Sequence, residues 1–400
     1  MKRGALPAGV VALGWVSLFM DLSSEMIHSL LPVYLVSVMG VSTMTVGVIE
    51  GVAEAIAAFM KTASGAISDW IGRRKPLVLV GYGMAALVKP LFPLAQDVAT
   101  IVTARFVDRV GKGVRGAPRD ALIADITPPG ARGAAFGFRQ SMDTVGAVAG
   151  PVVAIALMAA TSGDFRLVLW ASVIPAAVAV AIVVFGVREP EAHAHPVARK
   201  PIALHPRELR QLPTYYWVCL GVAGVLTLAR FSEAFMLLRA SDVGLEATWT
   251  PAVLVAMNAV YAISAWPLGR LADRMDRRHL LSIGIFLLCI ADVVLGLASS
   301  AGTLMLGAAL WGLHMGATQG LLSALVADAA PDHLRGTAFG VFSLVIGCAL
   351  LIASAGAGAL WSAFGPLATF AAGAALSAIA GLWTLALPRR PPPEVDPGVA

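Results

Sequence analysis

The chain alternates between long runs of apolar residues and short polar segments. The apolar runs are about 20 to 30 residues long, enough to cross a bilayer at about 1.5 Å of rise per residue. Several runs exceed the minimal span, so we expect tilted helices or helix ends that project into water. The pattern predicts twelve membrane-spanning helices at 10–39, 44–68, 77–96, 99–127, 132–161, 165–187, 214–239, 248–272, 279–299, 302–329, 333–361 and 366–387.

The longest polar segment divides the chain into two halves of six predicted helices each. The expected organisation is an N-terminal bundle at 1–187, a cytoplasmic linker at 188–213, a C-terminal bundle at 214–387 and a disordered tail at 388–400. The tail is rich in proline and charge and cannot pack a core. The linker contains His193, His195 and His205, but this is not a recognised metal-ligand spacing. A solvated linker is therefore favoured over a metal site.

Composition supports a membrane protein. The chain is 58% hydrophobic and 13% charged, with a mean hydropathy of +0.80, whereas a soluble chain is about 25% charged. If the N-terminus is cytoplasmic, the inside segments carry seventeen Lys and Arg residues and the outside loops carry two. This bias predicts a plasma (inner) membrane protein with both termini in the cytoplasm. It also accounts for the net charge of +5 without a nucleic-acid partner.

The three cysteines have unrelated spacings, so no disulfide framework, metal centre or cofactor is expected. The basic N-terminus resembles a signal peptide, but no cleavage motif follows it, and we interpret it as an uncleaved first helix.

The two halves repeat each other. Residues 65–75 (GAISDWIGRRK) match 269–279 (GRLADRMDRRH), and residues 124–137 (ADITPPGARGAAFG) match 327–340 (ADAAPDHLRGTAFG). The offsets are 204 and 203 residues. Two matches at nearly one offset indicate two related six-helix bundles, an arrangement typical of secondary transporters.

The first repeat resembles the signature loop of the major facilitator superfamily, G-x-x-x-D-R-x-G-R-R, between the second and third helices. The matching residues are Gly65, Asp69, Gly72, Arg73 and Arg74 in the first copy, and Gly269, Asp273, Arg277 and Arg278 in the second. Trp70 replaces the first Arg, and Asp276 replaces the second Gly of the second copy. The resemblance implies the fold of that superfamily and a role for these residues in latching a gate. The competing interpretation is a generic positively charged loop.

A second motif lies in the fifth predicted helix. Gly137, Gly146, Gly150 and Pro151 follow the superfamily's antiporter pattern, G-x8-G-x3-G-P-x2-G, with Ala154 in place of the last Gly. The resemblance favours proton-linked export over uptake. The alternative is ordinary close packing, since small residues four apart are common where membrane helices meet.

The fourth predicted helix contains an unusual concentration of charge. Residues 105–120, RFVDRVGKGVRGAPRD, hold five cations and two acids. They include a G-x-G-x-x-G pattern, but a dinucleotide site would need a βαβ unit around it. At about 100° per residue, all seven charges fall within an arc of roughly 140°. A charge facing hydrocarbon costs about 2.5–3.5 kcal/mol on insertion scales, so this face must look into the bundle or a wet cavity.

Other polar residues inside the predicted spans extend this candidate site. The substrate-cavity candidates are Arg105, Arg109, Lys112, Arg115, Arg119, Arg139, Asp143, Arg230, Glu233, Asn258, Tyr261, His314 and Gln319. The proton-coupling candidates are Asp21, Glu25, Glu50 and Glu54, with Glu25 and Asp21 first, because their own helices carry fewer cations. Asp108 and Asp120 have basic neighbours on their own helix and are expected to be structural, while Lys89 stands alone. The alternative for the coupling candidates is an ion-pair network with the cations of the fourth helix.

The leading hypothesis is a secondary active transporter that exports a small organic solute by alternating access, in exchange for protons. Sodium remains open as the coupling ion. The alternative is transport of an organic anion or a siderophore-like metal chelate, in either direction, because arginines bind carboxylate and phosphate well. Hydrolytic signatures and signalling domains are absent from the sequence, so neither an enzyme nor a sensor is expected. The expected partners are the solute, the coupling ion and the lipid bilayer, and the protein is expected to be a monomer.

Overall fold

The computed structural model describes residues 6–189, 209–272, 275–319, 321, 329–330 and 334–387. Over these residues the protein is helical and contains no strand. Twelve long helices follow one another along this part of the chain: α1 Ala8–Ser37, α2 Thr43–Ile71, α3 Lys75–Leu94, α4 Val98–Ile126, α5 Arg132–Ala160, α6 Phe165–Gly186, α7 Thr214–Asp242, α8 Ala252–Ala272, α9 Arg277–Gly296, α10 Ala301–Thr318, α11 Arg335–Phe364 and α12 Pro366–Leu385.

Ten of these helices are long and apolar enough to cross a membrane. The other two are α4, which carries the charged stretch, and α10. The helix bounds agree with the predicted spans to within four residues, except at the end of α10, where the predicted span runs beyond the described residues. The prediction of an all-α polytopic membrane protein with twelve helices in two six-helix bundles is confirmed. The linker histidines, Asp273 and the tail at 388–400 lie outside the described residues.

Four of the long helices are interrupted, which the hydrophobic pattern did not predict. α1 breaks after His28, before a second segment, Leu31–Ser37. α3 breaks at Lys89 and Pro90, where proline supplies no backbone N–H. α6 is interrupted at Ser172, and α7 is open between Ala229 and Ala234. Freed backbone groups are tolerated at membrane depth only where protein or a wet cavity surrounds them.

Glycines set the close packing of the N-terminal half. α4 lies between α2 and α3. A Cβ on Gly113 of α4 would stand 2.7 Å from the Ala57 carbonyl oxygen of α2, and one on Gly81 of α3 would stand 2.6 Å from the Arg115 nitrogen. Because both distances are too short for a side chain, glycine at these positions lets the backbones approach. The charged face of α4 is thereby held against its neighbours.

In the C-terminal half, a buried arginine caps α9. Arg239 of α7 donates to the carbonyl oxygens of Leu295, Gly296 and Ala298 at 3.1, 3.1 and 2.6 Å, and it also pairs with Asp242. The last carbonyls of a helix have no partner within the helix, so these bonds satisfy groups that would otherwise be buried without one.

The two halves meet through α2 with α11 and through α5 with α8, and the second segment of α1 packs on the second segment of α7. At the start of α2, the Thr43 hydroxyl lies 2.8 Å from the Ser362 hydroxyl of α11. Further along α2, a Cβ on Gly51 would stand 2.9 Å from the Leu351 carbonyl oxygen. At the opposite ends, which carry the repeated loops, no hydrogen bond or ion pair joins the halves in the part of the chain described. Between these ends, the Asn258 side chain of α8 donates to the Ala147 carbonyl oxygen of α5 at 3.3 Å. The described polar contacts between the halves therefore lie at the Thr43 end and near mid-height.

Candidate functional site

A cavity of about 490 Å³ lies between the two halves. This volume is in the range of small-molecule sites. The N-terminal half lines it with Glu25, His28, Glu54, Arg109, Lys112 and Ala147. The C-terminal half lines it with Thr227, Arg230, Phe231, Ser232, Glu233, Asn258, Trp311, Thr318, Gln319, Phe342, Ile346, Leu350 and Ser354. The N-terminal wall is mainly charged, and the C-terminal wall combines aromatic and aliphatic side chains with polar groups.

Two arginines of α4 are paired with the glutamates of α2. Arg105 donates to Glu50 at 2.6 Å, and both side chains are almost completely buried. Arg109 lies 3.1 Å from Glu54, whose side chain remains one-third exposed. Carboxylates held by guanidinium groups in this way are the ion-pair network that the sequence left open as an alternative for Glu50 and Glu54.

The other charges of α4 mostly have partners as well. Lys89, which the sequence left without one, lies 3.1 Å from Asp108 and 3.2 Å from the Ser24 hydroxyl. Arg115 stacks on the Tyr82 ring at 4.6 Å.

Towards its C-terminal end, α4 contributes to a second group of charges. Arg119 lies 3.2 Å from Asp120 and donates to the Ser17 hydroxyl at 3.2 Å. Arg139 of α5 contacts Asp120 at 3.8 Å and pairs with Asp143 one helical turn away. Asp108 and Asp120 are therefore both held by cations, as their expected structural role requires.

Four charged residues that line the cavity have no such partner. Their side chains form no ion pair or hydrogen bond with any residue the structure describes. They are Glu25 of α1, Lys112 of α4, and Arg230 and Glu233 in the break of α7. Lys112 is exposed although it sits in the middle of its helix. Arg230 and Glu233 act on each other electrostatically, and the Lys112 charge acts on both Glu233 and Glu25. The cavity lining therefore includes two acids and two bases that form no ion pair among the described residues.

The hydrogen bonding of His28 fixes its tautomer. Arg105 approaches His28 Nδ1 at 3.0 Å. A guanidinium group can only donate, so Nδ1 accepts this bond and Nε2 carries the proton. Because His28 lines the cavity, it can offer an N–H donor there.

The structure brings together part of the predicted site. The predicted residues that line the central cavity are Glu25, Glu54, Arg109, Lys112, Arg230, Glu233, Asn258 and Gln319. Tyr261 lines an adjacent cavity of about 320 Å³, which shares Gln319 with the central one. The predicted residues outside the central lining are Asp21, Glu50, Arg105, Arg115, Arg119, Arg139, Asp143 and His314. His314 is fully buried, and its Nδ1 lies 2.7 Å from the Gly284 carbonyl oxygen.

Several lining residues were missed by the sequence analysis. Phe231, Trp311 and Phe342 are apolar residues within apolar spans, and nothing in the local sequence separates them from core positions. His28 offered a usable signal, because it shares a helix face with Asp21 and Glu25 at spacings of seven and three residues.

The repeated loop is built around Asp69. Arg74 lies 2.6 Å from the Asp69 carboxylate and donates to the Ser68 hydroxyl at 2.8 Å. Gly72 ends α2 with φ of +70°, a conformation that glycine adopts without strain. Trp70, at the position of the missing Arg, is 85% exposed, as an aromatic side chain at the membrane boundary can be.

The second copy of the loop is only partly described. Arg278 lies 2.5 Å from Asp276, and its hydrogen bonds lower the pKa of the Asp276 carboxyl to about 2. Gly269 lines the adjacent cavity. Asp273 and the side chain of Arg277 fall outside the described part of the chain. Arg73 of the first copy is exposed. The gating roles of both copies remain predictions.

The glycines of the α5 motif fall into two groups. A Cβ on Gly146 would stand 2.7 Å from the Leu18 carbonyl oxygen, and one on Gly150 would stand 2.6 Å from the Glu25 Cβ. Around Gly137, by contrast, nothing lies within 4 Å. Pro151 is buried within α5. Two of the three motif glycines therefore press α5 against the face of α1 that carries Glu25.

These features define a polytopic membrane protein of two six-helix bundles with a solute-sized cavity between them, the architecture of a secondary transporter. The family model described as Major Facilitator Superfamily matches residues 13–260 and 236–399. The chain belongs to this superfamily, and it is a transporter rather than an enzyme.

Three similarities illustrate the relationship. The chain is 30% identical over 387 residues to an uncharacterised MFS-type transporter of Methanocaldococcus jannaschii, covering 95% of each chain. It is 25% identical over 341 residues to multidrug resistance protein MdtH of Photorhabdus laumondii, covering 84% of this chain and 82% of that one. The crystal structure of a POT family transporter in complex with a thioalcohol-conjugated peptide superposes with a TM-score of 0.79 at 12% identity, over 95% of this chain and 96% of that chain. This last likeness shows the fold.

Proposed function

We propose that this protein exports a small organic solute across the plasma membrane in exchange for protons, and that Glu25 is the group that carries the proton. The observation behind this proposal is the contrast among the carboxylates near the cavity. Glu50 and Glu54 are held by arginines at 2.6 and 3.1 Å. Glu25 lines the cavity without an ion-pair partner among the described residues. Asp21, the other first candidate, is not part of the central lining.

The chemistry of coupling requires a group that can change its charge. A carboxylate bound to a guanidinium group is stabilised in its ionised form. A carboxylate that lines a cavity without a fixed partner can instead take up a proton when the solute leaves and release it when a cationic group arrives. One site that binds either a proton or the solute gives antiport, because the two compete for the same charge.

Two observations support export rather than uptake. Gly150 of the antiporter-like motif packs directly against Glu25, so the motif lies at the proposed coupling residue. The relative from Photorhabdus laumondii is named for multidrug resistance. The excess of Lys and Arg in the alternate loops supports cytoplasmic termini.

The test uses purified protein reconstituted into liposomes with an acidic lumen and a trapped pH-sensitive dye. Tetraphenylphosphonium, L-phenylalanine and 3-phenylpropanoate are each added outside, and release of lumenal protons is followed. We expect tetraphenylphosphonium or L-phenylalanine, each of which carries a cationic group, to drive proton release, and we expect Glu25→Gln to abolish that release. The matched control is Glu246→Gln, since Glu246 is an exposed glutamate outside the cavity. If the Glu25→Gln protein still exchanges protons for solute, Glu25 is not the coupling group.

Transport of an organic anion or a metal chelate is the second candidate. Lys112 and Arg230 are cations of the cavity lining without an ion-pair partner among the described residues, and the Nε2–H of His28 adds a donor. The remaining four cations of the charged stretch are engaged by Glu50, Glu54, Asp120 and the Tyr82 ring. The two unpaired cations share the cavity with Glu25 and Glu233, two acids that also have no ion-pair partner among the described residues. Because this gives a weaker anion site than the five cations that the sequence suggested, export in exchange for protons is favoured. Proton release driven by 3-phenylpropanoate alone would reverse this preference.

A further inference from the structure

We propose that the solute is a zwitterion, a molecule with one cationic and one carboxylate group, and that it binds across the cavity between the two halves. This inference deepens the proposed function and rests on the same central cavity. Its basis is the contrast, among the described residues, between charges of the cavity wall that are held in an ion pair and charges that are not.

The charges of the lining that form no ion pair among the described residues are balanced in number and in position. Glu25 and Lys112 belong to the N-terminal half, and Arg230 and Glu233 belong to the C-terminal half. Each half thus presents one acid and one base to the same space. By contrast, the remaining acid and guanidinium in the lining, Glu54 and Arg109, neutralise each other at 3.1 Å.

The cost of uncompensated charge selects the ligand. A charged group that leaves water needs a partner of opposite sign, because its desolvation is otherwise not offset. A solute with a single cation would pair with an acid and leave the bases of the cavity without a partner. A solute with a single carboxylate would pair with a base and leave the acids of the cavity without a partner. A zwitterion supplies a partner to both kinds of group, and the filled cavity stays neutral.

The rest of the wall fits a small apolar body between the two charged groups. Phe231, Trp311 and Phe342 supply aromatic surface, and Ile346 and Leu350 supply aliphatic surface. At about 30 Å³ per liquid water, a volume of about 490 Å³ corresponds to roughly sixteen waters. This space suits an aromatic or aliphatic amino acid or a molecule two to three times its size.

The pair in α7 gives the ligand a way to link the halves. Arg230 and Glu233 lie at the two ends of the break in that helix. The Arg230 N–H still donates to the Leu226 carbonyl oxygen, whereas the Ser232 N–H within the break donates to the Ser354 hydroxyl of α11. A zwitterion that contacts this pair and also Glu25 or Lys112 bridges the two bundles. In a carrier whose halves rock around a central site, such a ligand favours the closed form through its contacts with both sides.

The charge of the solute has a consequence for energetics. Export of a neutral zwitterion in exchange for one proton moves one positive charge inward per cycle, so a membrane potential that is negative inside drives it. Exchange of a monovalent cation for one proton moves no net charge. The two solute classes are therefore distinguished by whether voltage alone drives transport.

The test begins with ligand binding to the purified protein in detergent. Binding is detected as a rise in the melting temperature of the protein, which a bound ligand causes by mass action. The probes are L-phenylalanine, phenethylamine, which lacks the carboxylate, 3-phenylpropanoate, which lacks the ammonium group, and N-acetyl-L-phenylalanine amide, which lacks both charges. The other protein amino acids and their dipeptides with alanine extend the zwitterion series. We expect a zwitterion to raise the melting temperature more than any analogue that lacks one charge.

Charge-removing variants connect binding to the proposed groups. Lys112→Gln should remove the advantage of the zwitterion over its carboxylate-free analogue, and Glu233→Gln should remove its advantage over the ammonium-free analogue. The matched controls are Arg166→Gln and Glu246→Gln, because both residues are exposed and lie outside the cavity. Equal stabilisation by phenethylamine or 3-phenylpropanoate would overturn the inference, and so would a panel in which no zwitterion binds.

Failure of this inference can be told apart from failure of the proposed function. If the zwitterion binds but the reconstituted protein never exchanges it for protons, only the proton coupling is wrong. If tetraphenylphosphonium drives proton release and binds better than every zwitterion, only the solute class is wrong. Both proposals are supported by a third outcome. A valinomycin-imposed potassium potential, without a pH gradient, would drive labelled L-phenylalanine or another stabilising zwitterion towards the positive side of the membrane.

Discussion

At the scale of single residues, the charged groups of the membrane core have two distinct tasks. Lys89, Asp108, Glu50 and Arg105 are buried and contact one another in pairs. Such pairs stabilise little relative to an apolar core, but loss of one member leaves a buried charge without a partner. The charges of the second kind, such as Glu25 and Lys112, lie at the cavity surface and are available to a ligand.

This division predicts that the same substitution lowers stability at one glutamate and leaves it unchanged at another. Glu50→Gln leaves the buried Arg105 guanidinium without its carboxylate, and we expect a loss of stability of about 3–5 kcal/mol. Glu25→Gln removes no ion pair of the described residues and should leave the melting temperature close to that of the natural sequence. The measurement is thermal unfolding of both purified variants in one detergent.

A double variant serves as the control for this prediction. Glu50→Gln combined with Arg105→Met removes both charges and should recover part of the lost stability, because the uncompensated cation is gone. If the Glu50→Gln variant has the same melting temperature as the natural sequence, the Glu50–Arg105 pair does not stabilise the fold, and Glu50 becomes a coupling candidate again.

At the scale of helices, the fifth helix joins the packing of the N-terminal half to its proposed coupling residue. Gly146 and Gly150 contact the α1 backbone and the Glu25 Cβ, whereas a side chain on Gly137 would meet nothing within 4 Å. All three glycines belong to the same sequence motif. The structure therefore separates motif positions at which glycine is needed for packing from one at which it is not.

This separation gives a matched pair of substitutions within one helix. Gly150→Ala places a methyl group 2.6 Å from the Glu25 Cβ and 2.9 Å from the Leu22 carbonyl oxygen, so α1 and α5 must move apart. We expect a clear fall in melting temperature and in solute-driven proton release. Gly137→Ala introduces the same methyl group into open space, and its stability and transport should match those of the natural sequence. Equal behaviour of the two variants would show that the motif does not act through the contact between α1 and α5.

The helices themselves were predictable from the sequence, because hydrophobic length and loop charge are properties of each segment alone. The breaks in α1, α6 and α7 were not, since they depend on neighbours that surround the freed backbone. The pairing of Lys89 with Asp108 was also beyond the sequence. It depends on the rotation of α3 relative to α4, which helical periodicity does not provide. For the same reason the helical wheel identified the charged face of α4, but it did not show that Lys112 is the one charge on this face without an ion pair or a ring contact among the described residues.

At the scale of the whole molecule, the internal repeat produces two bundles whose described polar contacts are unevenly distributed. Thr43 and Ser362 join the halves at one end, and Asn258 of α8 donates to the Ala147 carbonyl oxygen of α5 near mid-height. The repeated loops at the other end make their hydrogen bonds within their own half. A carrier that alternates its access must therefore open the Thr43 end, and a covalent link there should stop it.

Thr43→Cys combined with Ser362→Cys tests this requirement. The two hydroxyl oxygens lie 2.8 Å apart, so cysteines at these positions are close enough to be joined by an oxidant. The native Cys219, Cys289 and Cys348 are free thiols and are first replaced by serine or alanine. We expect oxidation to abolish solute-driven proton release and a reductant to restore it, while each single-cysteine variant stays active under both conditions. Such a reversible block would follow from rocking of the two bundles about the central cavity, because the link fixes the end that must separate. A cross-linked protein that transports at the full rate would mean that the solute passes without separation of Thr43 from Ser362, and the alternating-access mechanism would then have to be abandoned for this chain.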